Sequence, residues 1–106
     1  MVSFDLTGKV ALVTGASQGL GVDMARGLAE AGADVVVAAR RLDKLETVAK
    51  EIHESTGRTI VPMYLDVTKM DVVKDVVAKI LEQFGKLDIL VNNAALIDYT
   101  PAVDLT

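Results

Sequence analysis

The stretch Val10-Ala11-Leu12-Val13-Thr14-Gly15-Ala16-Ser17-Gln18-Gly19-Leu20-Gly21 decides the fold. Its first five residues form a short apolar run of strand length. Glycines follow at 15, 19 and 21, and a helical spacing of apolar residues begins at Leu20. Strand, glycine turn and helix in immediate succession open an α/β unit. Leu20, Met24, Leu28 and Ala31 recur at helical intervals and predict the buried face of that helix, with Gly32 ending it from the C′ position.

The same alternation continues outward. Asp34 leads into Val35-Val36-Val37-Ala38-Ala39, a run that predicts a second strand. Leu42, Leu45, Ala49 and Ile52 mark one face of a second helix, closed by Gly57, and Thr59 to Leu65 reads as a third strand. Thr68 is placed to N-cap a third helix, with Asp71 three residues on in a capping-box-like position. That helix is expected to bury Val73, Val76, Val77, Ile80 and Phe84 and to end at Gly85; Leu87 to Val91 is the fourth strand, ended by Asn92-Asn93. A βαβαβαβ order with short connections predicts right-handed crossovers and a doubly wound parallel sheet of Rossmann type, strand order 3-2-1-4, with the fourth strand at an open edge. An apolar edge invites pairing with another chain, so self-association is expected. From Leu96 to Thr106 the sequence holds Pro101 and no recognisable element.

Composition narrows the possibilities. A chain of 106 residues with 51% hydrophobic and 25% charged residues is globular and reads as one domain. Aromatics are only 4%, so the core must be aliphatic, which suits buried parallel strands. Net charge is −4 with Lys and Arg scattered, which argues against nucleic acid, because phosphate neutralisation needs a concentrated basic face. With no cysteine there is no disulfide, thiolate metal site or cysteine nucleophile, and no metal site is expected. No run approaches the roughly 20 apolar residues of a membrane span, and no signal segment opens the chain, so a soluble cytoplasmic protein is expected.

Each glycine of the opening stretch has a physical task. Gly15 allows the tight turn out of the strand, Gly19 lets backbone approach an anion, and Gly21 lets the helix pack closely on the sheet. Free N–H groups and the positive helix terminus then face that anion, as in a dinucleotide pyrophosphate site. A merely structural glycine turn is the alternative; the strand before it and the helix after it favour the ligand. A Walker-type phosphate loop is excluded, since no Gly-Lys-Ser/Thr follows.

The Thr-Gly-x-x-x-Gly-x-Gly spacing of Thr14 to Gly21, Asp66 after the third strand and Asn92-Asn93-Ala94 after the fourth resemble the short-chain dehydrogenase/reductase family over essentially the whole chain. The resemblance implies that Ser17, Gln18 and Leu20 line the pyrophosphate and ribose. It implies that Asp66 and Val67 meet the adenine, and that Asn93 and Ala94 lie near the cofactor ribose and help hold the central strands together. Ala95 stands where the family's motif ends in glycine.

The end of the second strand separates NAD from NADP. An acid there would bind the ribose 2′-hydroxyl of NAD and repel a 2′-phosphate. This chain has Ala39, then Arg40 and Arg41, whose forked donors suit a phosphate. NADP is therefore expected ahead of NAD. Gln18 departs from the Arg or Lys that some NADP-using members carry in the glycine loop, which leaves Arg40 with most of the preference. The alternative is that both arginines are solvated residues opening a helix, where the dipole mildly disfavours cations.

Other chemistry-bearing residues read as ordinary surface. His53 has no acid or second ligand near it in sequence, and Ser17 has no histidine base. Glu46, Lys50, Glu51 and Glu54 fit one solvated helix face, and Lys74, Lys79 and Glu82 another. The resemblance implies catalysis by a Tyr-x-x-x-Lys pair with a Ser and an Asn. Four residues after Tyr64 stands Thr68, and four after Tyr99 stands Val103, so no catalytic residue falls within the chain.

What the resemblance implies is an NADP-dependent oxidoreductase moving hydride between the cofactor and a small-molecule alcohol or ketone, working as a homo-oligomer. Residues 1–106 would be its dinucleotide-binding half, stopping before the catalytic half. The alternative is a stand-alone nucleotide-binding half-domain without activity. A receiver-type domain would need clustered acids at strand ends, and a flavin-binding domain usually lacks this glycine spacing.

Overall fold

A computed structural model describes residues 5–17, 19–66 and 68–92 of the chain. The elements are β1 (Val10–Thr14), α1 (Leu20–Glu30), β2 (Asp34–Ala39), α2 (Leu42–Thr56), β3 (Ile60–Tyr64), α3 (Met70–Phe84) and β4 (Ile89–Asn92). All strand pairs are parallel and the order is β3-β2-β1-β4, as the alternation predicts. Every residue of β1, and Val35 to Ala39 of β2, is buried, because central parallel strands are covered on both faces. β3 is only half-buried and carries Pro62, which cannot donate to a ladder and so belongs on an edge strand.

Successive side chains of a strand point to opposite faces, and the core divides accordingly. Ala11, Val13, Val35 and Val37 pack with Ala25 and Ala29 of α1 and Leu45, Val48 and Ile52 of α2. Val10, Leu12, Val36 and Ala38 pack with Val76 and Ile80 of α3 on the other side. The sheet thus lies between α1 and α2 on one face and α3 on the other.

Several expectations need correction: Leu42 of α2 is exposed, and on α3 only Val76 and Ile80 are buried, with Val73, Val77 and Phe84 half-buried. The buried face of α1 is Gly21, Ala25 and Ala29, while Leu20 is 64% exposed and Met24 and Leu28 are half-buried. Small residues face the sheet because α1 lies close against it; the longer side chains fit only at the flanks. Thr68 does not cap α3, whose N-cap is Lys69 without a side-chain bond. The Thr68 hydroxyl and amide both donate to Asp66 Oδ1, which removes that hydroxyl from the helix. β4 begins at Ile89, because Asp88 is occupied in a clip to β1.

In that clip the Val10 amide donates to Asp88 Oδ2 at 2.9 Å and the Asp88 amide donates to the Val10 carbonyl at 2.9 Å. Lys86 Nζ lies 3.4 Å from the same carboxylate. The Val10 amide, with Lys86 and Lys9 nearby, holds the Asp88 pKa below its ordinary value. At the C-terminus of α1, the Leu6 amide donates to the Ala31 carbonyl at 2.7 Å. Gly32 there has φ +109°, and a Cβ on it would lie 2.8 Å from Thr7 Oγ1. Among the described residues no helix is long and apolar enough to cross a membrane, and no three His, Cys, Asp or Glu side chains cluster to hold a metal.

Candidate functional site

Because the strands are parallel, Gly15, Arg40, Asp66 and Asn92 all emerge at one end of the sheet. The direction of strand order reverses between β1 and β4, where open α/β sheets form a ligand crevice. Thr14 ties the two sides of that crevice: its buried hydroxyl donates to Asn92 Oδ1 at 3.0 Å, with the Val91 carbonyl 3.4 Å away.

The loop after β1 stays against the sheet through the Ala16 amide, which donates to the Ala38 carbonyl at 3.3 Å. Ser17 is half-buried. Gly15 has φ 65°. Gly19 has φ 63° and ψ −136°, a conformation open to glycine and closed to other L-residues. A Cβ at Gly19 would meet nothing within 4 Å, so backbone conformation, not crowding, demands glycine and the space before it is open. Gly21 is buried against the sheet, and Leu20 stands exposed at the mouth of the helix. Among the described residues no side chain caps α1, so the amides of Leu20 and Gly21 face outward from its positive end. Open backbone amides at a positive helix end have the chemistry of an anion site.

Asp66 sits buried just past β3. Thr68, through hydroxyl and amide, holds its pKa below the ordinary value, with a smaller contribution from the charges of Arg40 and Lys69. The carboxyl is thus a fixed anion. Arg40 is exposed and follows β2 directly. Arg41 faces a different partner: its Nε donates to Asp43 Oδ1 at 3.3 Å and its Nη2 to Oδ2 at 3.2 Å. That pairing raises the pKa of Arg41 and lowers that of Asp43.

The structure therefore brings Gly15, Ser17, Gly19, Leu20, Gly21, Arg40 and Asp66 to one end of the sheet and turns Arg41 toward α2. Gln18, Val67, Asn93 and Ala94 lie outside the described residues. His53 is at the other end, with Nδ1 2.7 Å from the Arg58 carbonyl. Sequence reasoning gave the Thr14 side chain no role, assigned Thr68 to a helix cap and did not mark Asp43. The latter two stand two residues from the groups they hold, a spacing that favours local side-chain bonds.

The sequence model of the short chain dehydrogenase family matches residues 9–106. The chain belongs to the short chain dehydrogenase family. Within it, a protein of Caenorhabditis elegans named as a probable 2,4-dienoyl-CoA reductase is 50% identical over 91 residues, 85% of this chain and 29% of that protein. A 2-dehydro-3-deoxy-D-gluconate 5-dehydrogenase of Formosa agariphila is 43% identical over 103 residues, 96% of this chain and 39% of that protein. The crystal structure of L-sorbose reductase from Gluconobacter frateurii, complexed with NADPH and L-sorbose, superimposes with a TM-score of 0.85 at 37% identity, covering 97% of this chain and 40% of that one. This short chain dehydrogenase chain thus spans well under half the length of the relatives it matches.

Proposed function

We propose that residues 1–106 are the dinucleotide-binding half of an NADP-dependent oxidoreductase that interconverts a secondary alcohol and a ketone. Arg40 carries the cofactor preference: it follows β2 directly, Ala39 stands where an NAD-selecting acid would be, and Asp66 lies nearby. NADPH supplies the hydride when bound, and the protein supplies orientation and electrostatics. In this reading the glycine loop and the open end of α1 hold the pyrophosphate, Asp66 accepts from the adenine amine, and Arg40 pairs with the 2′-phosphate. Val67, Asn93 and Ala94 complete the adenosine and ribose contacts, with Ser17 and Gln18 beside the phosphates. The chain alone binds cofactor without turnover, since neither Tyr64 nor Tyr99 has a lysine four residues on.

Titration of the chain with NADPH and NADH tests this. Arg40→Ala is expected to weaken NADPH roughly tenfold to a hundredfold, the scale of a charged hydrogen-bonded pair, and NADH far less. Equal losses for the two cofactors would overturn the assignment. The likeness to the C. elegans protein favours one second reading, reduction of a conjugated enoyl thioester by the whole protein. Hydride transfer to a dienoyl thioester but not to a ketone would select it.

A further inference from the structure

Arg40 and Arg41 are neighbours in sequence but are held differently, and Asp43 is the reason. Arg41 presents its Nε and Nη2 edge to both oxygens of Asp43, the planar fork-on-fork geometry of a guanidinium and a carboxylate. Asp43 stands in the first turn of α2, and the bond from Arg41 holds its pKa below the ordinary value. The positive end of a helix favours an anion at that place. Arg41 is therefore directed to the start of α2, while Arg40 lies exposed at the end of β2, near enough to Asp66 for its charge to help lower that carboxyl's pKa.

We infer that Asp43 is a positioning residue for cofactor discrimination. It draws Arg41 away from the 2′-phosphate of the bound dinucleotide and so sets the NADP preference below what two adjacent arginines would provide. The inference rests on the dinucleotide reading given above. The Arg41–Asp43 pair is solvent-exposed, with side chains 62% and 71% accessible, so the hold is modest and its release is worth a severalfold change.

The test is a cycle of Asp43→Asn, Arg41→Gln and the double variant, each titrated with NADPH, NADH and adenosine 2′,5′-bisphosphate. Asp43→Asn is expected to bind NADPH and the bisphosphate about threefold to fivefold tighter at low salt, with NADH unchanged. The gain disappears in the double variant, which matches Arg41→Gln alone, and it shrinks as salt is raised. Losing the first-turn acid weakens α2 slightly, which cannot by itself tighten binding. An equal gain for NADH, or no gain, overturns the inference. A gain that survives Arg41→Gln also overturns it, because Asp43 would then act on the phosphate directly. If no variant binds either cofactor, the dinucleotide reading falls, and this inference with it.

Discussion

A single carboxylate, Asp88, sets the register of β4 on β1. It exchanges two hydrogen bonds with Val10, one from its backbone and one to its side chain, which favours the alignment in which Ala11 pairs with Ile89. The Asp88 pKa is lower in the folded chain than in the unfolded one. Its contribution to stability is therefore full above the unfolded value of about 4 and drains away as pH falls through the depressed folded value. Asp88→Asn is expected to be less stable than the parent at neutral pH, and the gap should close in strong acid. Denaturant midpoints measured at neutral pH and below pH 3 would show it; a gap independent of pH would assign the loss to packing.

At the scale of elements, each helix reads the sheet differently. α3 is the cover for Val10, Leu12, Val36 and Ala38 among the described residues, and Ile80 is its fully buried anchor. Ile80→Ala should cost about 3 kcal/mol, seen as a lower urea midpoint at unchanged slope, because the sheet beneath cannot collapse into the space. The strands, their order and both glycine-ended helices α2 and α3 were legible because hydrophobic runs and spacing report burial directly. The buried face of α1 was not. Hydropathy points to Leu20, Met24 and Leu28, whereas a helix pressed close to a sheet selects Gly21, Ala25 and Ala29 for their size. Likewise the glycine loop and Arg40 could be found from spacing, while the tie between Arg41 and Asp43 depends on side-chain direction, which spacing does not carry.

Among the described residues of the whole molecule, the sheet has two unlike edges. β3 is guarded by Pro62, and β4 offers Ile89 to Asn92 with half-buried apolar residues and no proline. The 106-residue chain is expected to self-associate through the β4 edge as concentration rises, visible as a growing mass in light scattering. A constant monomer mass at high concentration would contradict this. The small-residue stripe of α1 links core and crevice over a longer distance. Ala29 lies nine positions beyond Leu20, about 13 Å along the axis at the rise of an α-helix. Widening the stripe by one methyl-sized step at Ala29 would tilt a stiff rod and displace its far end, so under the proposed dinucleotide reading cofactor affinity should act as a strain gauge for packing remote from the glycine loop.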